Sequence, residues 1–301
     1  MSEPLNSATA TSGGGPLAKH HFLLRRLHSL SGILPVGVFL CMHLFTNAQM
    51  IWGQDAGPEA HSHFQHEVDF IHSMPALLFI EITLWVSIGF HAILGFWYTF
   101  TGKSNVKSYK YGGNARYLFQ RITGMVALLF IFLHIATLRW RWDMFGWFTP
   151  FYGHGGVNED GEVFGHNVPM SLPYTAYALQ FSWLVVAFYA VGVTSAVYHW
   201  SNGLWTAAIS WGITTSEAAM KRWGFACLGL FAALMFFSVT GIVAALVYDL
   251  ENDTTDEQKA VLSRVVADED MADDLWDAIS TDASRARLKD WIKHEINEHN
   301  D

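Results

Sequence analysis

Apolar and polar stretches alternate along the chain on a long scale. Five windows, at about 23–47, 76–100, 119–140, 175–200 and 223–248, hold almost only apolar residues, with polar segments between them. A bilayer core of about 30 Å needs about 20 helical residues at a rise of about 1.5 Å each, so every window is long enough to cross. In lipid such a segment must be helical, because only a helix satisfies its own backbone polar groups. The pattern therefore predicts an all-α integral membrane bundle of five helices. It also predicts three regions. Residues 1–21 read as a flexible cytoplasmic extension, Gly/Ser-rich and without the basic-then-apolar signature of a cleaved signal peptide. Residues 22–248 form the membrane domain. In the tail, 249–301, Leu262, Val265 and Val266, and again Leu288, Trp291, Ile292 and Ile296, fall at helical spacing. Two short amphipathic helices outside the membrane are expected there, in what reads first as a solvated acidic extension and second as a segment docked on the outer loops or on a partner.

Charge adds an orientation. Of the 12 Lys and Arg before residue 249, ten lie before helix one (Lys19, Arg25, Arg26), between helices two and three (Lys103, Lys107, Lys110, Arg116, Arg121), or before helix five (Lys221, Arg222). These regions share one side of a five-helix bundle. The opposite side has Arg139 and Arg141. Positive residues favour the cytoplasmic side, so the N-terminus is expected inside and the C-terminus outside. The tail has 16 acidic and 6 basic residues, so the chain's formal charge of −9 belongs to it. Aromatic residues near window ends, among them Trp97, Tyr98, Trp140, Trp142, Tyr174, Trp205, Trp223 and Tyr248, suit interfacial belts.

The candidate chemistry is histidine. The two cysteines, Cys41 and Cys227, are too few for an iron–sulfur cluster, and no C-x-x-C-H haem-attachment motif occurs. Four of the 15 histidines sit within or at the edge of apolar windows: His43, His91, His134 and His199. Ionisable groups in a membrane are costly and point to function. With alternating helix directions, His43 and His134 fall toward the outer side. His91 lies about 14 Å from the inner end of its helix, and His199 is expected near the inner end of its own. Two depth-matched pairs suit two b-type haems, each held by two imidazoles. Such ligation leaves no open iron position, which favours electron transfer over oxygen binding.

Other residues are expected in support. Gly32, Gly37, Gly95, Gly124 and Gly192 can let a flat macrocycle approach a helix or can serve ordinary helix packing. Arg26, Arg121, Arg139 and Arg141 lie where haem propionates could pair with them. His28 is placed for a quinone or propionate role. Glu81 is the carboxylate set inside a window, about 9 Å below the outer end of helix two, where it could relay protons to a quinone or sit neutral and hydrogen-bonded. The loop histidines His61, His63, His66 and His72 show no recognised ligand spacing.

At these residues the sequence resembles a known family. RRLHSLSGILPVGVFLCMHL (25–44), FHAILGFWYTFTGK (90–103), QRITGMVALLFIFLHI (120–135) and YHWSNGLWTAAISWGIT (198–214) resemble successive segments of the cytochrome b558 subunit of succinate dehydrogenase, the two-haem anchor shared with some fumarate reductases. The resemblance spans about 22–248. It implies His91 and His199 as ligands of the inner haem and His43 and His134 as ligands of the outer. It implies a flavoprotein partner with FAD, an iron–sulfur partner with three clusters, and electron delivery to a quinone, usually menaquinone, at a bacterial cytoplasmic membrane. The long loop 141–173 and the acidic tail depart from the family pattern. So does Val197, at a position where some fumarate reductases carry glutamate; this favours succinate oxidation over fumarate reduction. A haem b subunit of a membrane hydrogenase or formate dehydrogenase is the alternative in the same class. A haem-free transporter would need the paired histidines to be accidental.

Overall fold

The computed structural model describes residues 20–54, 62–102, 112–140, 142, 153–157, 163–181 and 183–268. Among them, five helices are long and apolar enough to cross a membrane. The first, α1 (His21–Trp52), is continuous but not uniform. A π-helical turn, Gly32–Val36, interrupts it around Pro35. Proline has no N–H to donate and its ring crowds the preceding turn, so widening the helix there relieves the clash. The helix tightens to a 3₁₀ turn at Gln49–Trp52 and stops at Gly53, whose φ of 67° is left-handed.

A short helix, α2 (His63–Ser73), follows. Its cap is Ser62, whose side chain accepts from the Gln65 N–H at 3.0 Å. The second span is α3 (Leu77–Thr101) and the third α4 (Gly112–Leu138). An antiparallel hairpin, β1 (His154–Val157) and β2 (Val163–Pro169), then leads to α5 (Ser171–Phe181). The fourth span is α6 (Trp183–Ser210), the fifth α7 (Glu217–Val247), and α8 (Asp256–Asp268) ends the described chain. The all-α membrane bundle is thus present, with a small hairpin between the third and fourth spans.

The fourth span corrects the sequence reading. Its apolar window begins at residue 175, but in 171–181 (α5) Tyr174, Ala176 and Tyr177 are buried in a core outside the bundle. Hydropathy alone cannot distinguish a buried soluble helix from the start of a span. Helix α6 continues to Ser210, so His199 lies 11 residues before its C-terminal end rather than near it. That matches His91, which is 10 residues before the end of α3.

Within the bundle, α4 lies along α6, and α7 lies along both α1 and α6. Leu44, Val197 and Leu234 form a small core there, with Leu40, Cys41 and Trp200 around it. Helix α3 sits at the edge against the inner half of α1, buries Leu94, and leaves Leu78, Phe79, Val86 and Ile93 exposed.

The larger core lies outside the bundle, where α2, the hairpin, α5 and α8 enclose Phe64, Val68, Met170, Leu172, Tyr174, Tyr177 and Leu262. Gln65 holds α2 to α5: its Oε1 accepts from the Ser171 N–H at 3.1 Å and from the Ser171 hydroxyl. The tail is therefore not wholly a solvated extension, since Val261, Leu262 and Val265 of α8 are buried in this core. The second amphipathic segment, 288–296, lies outside the described residues, as do residues 1–19, His61, Lys103, Lys107, Lys110 and Arg141.

Candidate haem-binding site

The four membrane histidines meet as two pairs. His43 on α1 faces His134 on α4 with ring centres 6.0 Å apart and planes at 69°. His91 on α3 faces His199 on α6 at 6.0 Å and 89°. The pairs are the ones that depth alone suggested. They are well separated: along α4, Gly124, which seats His199, and His134 are ten residues apart, about 15 Å of helix.

The spacing can be tested against haem. Two imidazoles on opposite faces of one iron, each at the roughly 2 Å of a histidine–metal bond, have ring centres roughly 6 Å apart. Both pairs meet that distance. Ring nitrogens give a second test, because a ligating histidine almost always donates its other N–H to a fixed acceptor. The Nδ1 of His91 lies 2.8 Å from the carbonyl oxygen of His28. The Nδ1 of His199 lies 3.0 Å from the carbonyl oxygen of Gln120, and the Nδ1 of His134 lies 3.1 Å from the Tyr189 hydroxyl. For His91 the Nε2 is then the nitrogen left for iron, while the His199 Nε2 also has the Gln120 Nε2 at 3.5 Å. His43 differs: its Nε2 is 3.3 Å from the Asn47 amide nitrogen, which also donates to the His43 carbonyl at 2.7 Å. The residues fit two bis-imidazole haems.

Glycine makes room for the rings. A Cβ on Gly32 would stand 2.6 Å from His91 Nδ1, and one on Gly124 would stand 2.7 Å from His199 Cε1. Ordinary contacts begin well beyond that, so both positions admit no side chain while the imidazoles stay in place. Gly192 seats the Phe130 ring and Gly37 the Trp200 indole. Phe130 in turn stacks on His134 at 5.5 Å, and Phe39 stacks on His43 at 5.3 Å. His28 lies flat on His91, with ring centres 4.0 Å apart at 15°, and its Cε1 is 3.2 Å from where a Cβ on Gly95 would be.

Three partners escaped the sequence reading. Gln120 and Asn202 form a clasp beside His199: Asn202 Nδ2 donates to Gln120 Oε1 at 2.7 Å, and Gln120 Nε2 donates to the His199 carbonyl at 2.9 Å. Gln120 stands one turn before Gly124 on the same face of α4, which is the signal that could have found it. Tyr189 had no such signal, because only the packing of α6 on α4 brings it to His134.

Glu81 is less deep than expected. Helix α3 starts at Leu77, so Glu81 is four residues in, about 6 Å from the outer end. Its side chain is 36% exposed rather than buried, and its Oε1 is 3.6 Å from Arg139 Nη2. One turn further along α3, Trp85 stacks on Trp140 at 5.8 Å and 17°. Arg139 therefore has Glu81 as its neighbour. Arg26 lies over the Phe22 ring at 4.2 Å, and Arg121 donates to the Gly102 carbonyl at 3.0 Å. Beyond the spans, His154 Nδ1 is 3.7 Å from Asp69 Oδ1.

The chain is similar to the succinate dehydrogenase cytochrome b558 subunit of Bacillus subtilis (strain 168). The two are 31% identical over 224 residues, which is 74% of this chain and 96% of that protein. No protein-family model matches the chain, and no solved structure matches it.

Proposed function

From its membership of the succinate dehydrogenase cytochrome b558 subunit family, to which this chain belongs, we propose that it carries electrons from an iron–sulfur subunit across the membrane to a quinone. In this reading His91 and His199 hold an inner haem b and His43 and His134 an outer one. The N-terminus is inside, where the flavoprotein and iron–sulfur subunits dock on the membrane domain, 22–248, and the tail from 249 onward is outside. The quinone is menaquinone, and the direction is succinate oxidation.

The observation that carries the reading is the pair of imidazole pairs at 6.0 Å, on four different helices. Bound there, each haem supplies a one-electron carrier, one on each side of the bilayer. The chain's own residues do the rest. The carbonyls of His28 and Gln120 hold the inner imidazoles in one tautomer and one orientation, and the Tyr189 hydroxyl orients the His134 ring. With two histidines to hold each haem, no ligand position would be left for oxygen, and the chemistry supplied there would be electron transfer. Reducing a quinone takes two electrons and two protons. Glu81, beside Arg139 at the outer end of α3, supports the proton part, since a carboxyl there can pass a proton from the outer water to a quinone oxygen. The Trp85–Trp140 stack next to it offers an aromatic wall for a planar ring.

The test is a reduced-minus-oxidised spectrum with a redox titration of the assembled complex and of single His→Ala variants. Two b-type components are expected. His43→Ala and His134→Ala should remove one, and His91→Ala and His199→Ala the other. An intact complex without haem in this subunit overturns the reading.

A further inference from the structure

The relative from Bacillus subtilis is matched over 96% of its length but over 74% of this chain, so about a quarter of the chain has no counterpart in that alignment. Helix α8 lies in the acidic tail, yet it is built into the outer core. Gln258 is fully buried, and its Nε2 donates to Gln54 Oε1 at 2.9 Å and to the Pro169 carbonyl at 2.6 Å. Gln54, just past the outer end of α1, donates in turn to the Asp253 carbonyl at 2.9 Å and to the Tyr248 hydroxyl. One amide network thus joins α1, the end of the hairpin and the turn between α7 and α8.

The hairpin is shaped for this helix. Gly155 and Gly165 have φ of +58° and +61°, values that side chains rarely tolerate. A Cβ on Gly165 would stand 2.7 Å from Val261 Cγ2, and one on Gly156 would overlap Val265. Val261, Leu262 and Val265 then enter the same apolar cluster as Tyr174, Tyr177 and Val185, and Tyr189 packs against that cluster. Tyr189 meets His134 through its hydroxyl at 3.1 Å and edge-to-face at 5.6 Å. The chain of contacts from α8 therefore ends on one outer imidazole, while the Gln258–Gln54 bond ends on the helix that carries the other.

We propose that the docked segment 256–268 is a positioning element for the outer histidine pair: it clamps the outer end of α1 and holds Tyr189 against His134. This rests on the haem assignment above. The segment touches neither histidine and acts through Gln54 and Tyr189. The inner pair, about 15 Å deeper, is outside its reach.

The test uses the assembled complex in membranes and follows both b-type components by redox titration, with the inner one as internal reference. Four forms are compared: the intact chain, a truncation lacking 269–301, a truncation lacking 256–301, and full-length Gln258→Leu. Loss of 256–301 should shift and broaden the component that His43→Ala removes, with the inner component unmoved. Gln258→Leu should shift it in the same direction by less, and loss of 269–301 should leave both components in place. The proposal is overturned by an outer component that stays put without 256–301, by equal shifts of both components, or by the shorter truncation having the full effect. If the longer truncation does not assemble, Gln258→Leu decides, and an unmoved outer component sinks the idea. An intact chain lacking any component that both His43→Ala and His134→Ala remove would instead refute the haem assignment, and the clamp with it.

Discussion

Gln120 and His199 bond each other in both directions: the His199 Nδ1 meets the Gln120 carbonyl at 3.0 Å, and the Gln120 side chain donates to the His199 carbonyl at 2.9 Å. The two residues stand on α4 and α6, so the ring of bonds also sets how those helices slide. Asn202, 4% exposed, holds the Gln120 amide the right way round. Outer partners of a ligand are typically worth about 10–100-fold in metal affinity. Gln120→Leu is therefore expected to weaken inner haem binding by about tenfold, read as haem retention in the assembled complex, and to leave the outer component alone. Equal losses at both components would mean a general folding defect.

Tyr189→Phe keeps the ring that packs on Phe130 and His134 but deletes the hydroxyl near His134 Nδ1. The outer imidazole then loses its hydrogen-bond partner at Nδ1. A shift of the outer midpoint potential, with haem content near that of the parent, is the expected result. Unchanged potentials would show that the hydroxyl does not tune this ligand.

Gly124→Ala puts a methyl 2.7 Å from His199 Cε1, whereas Gly229 has nothing within 4 Å. Overpacking of this kind costs about 1–3 kcal/mol. The Gly124 variant should lose or distort the inner component, and Gly229→Ala should behave like the parent. Both can be read from the same difference spectrum.

Glu81→Gln keeps size and hydrogen bonding but removes the exchangeable acid. With both haem components intact, quinone reduction by the complex should fall by at least about tenfold while succinate oxidation with an artificial acceptor continues. Full quinone turnover in this variant would remove Glu81 from the proton path.

Burial, chiefly, raises the Tyr248 phenol from its ordinary 10.0 to about 12. The folded outer core holds that proton more tightly than the unfolded chain does. The contribution is therefore present below pH 10 and is lost as the pH climbs toward about 12. Hydrogen exchange of the hairpin amides should accelerate across that window beyond the rise due to pH alone. Tyr248→Phe should flatten this extra dependence.

The sequence by itself determined the five spans, the histidine pairs and the family. Lipid imposes a length and a helical backbone on any crossing segment, so run length is read directly. Four histidines in alternating helices can pair in few ways even when one depth is misread, as it was for His199, and His43 does face His134 and His91 does face His199. Helix boundaries were less legible: the run from 175 belongs partly to α5, because apolar residues bound for a soluble core look like those bound for lipid. The contacts that orient the ligands were decided by tertiary structure alone. Gln120, Asn202 and Tyr189 are ordinary polar residues until α6 packs on α4. The docking of α8 was legible only as a second reading, because its three buried aliphatics sit in a strongly acidic segment and their partners, Gly156 and Gly165, lie some hundred residues away in the chain. Local pattern reports what a segment does with its solvent, whereas side-chain partners depend on which surfaces the whole chain brings together.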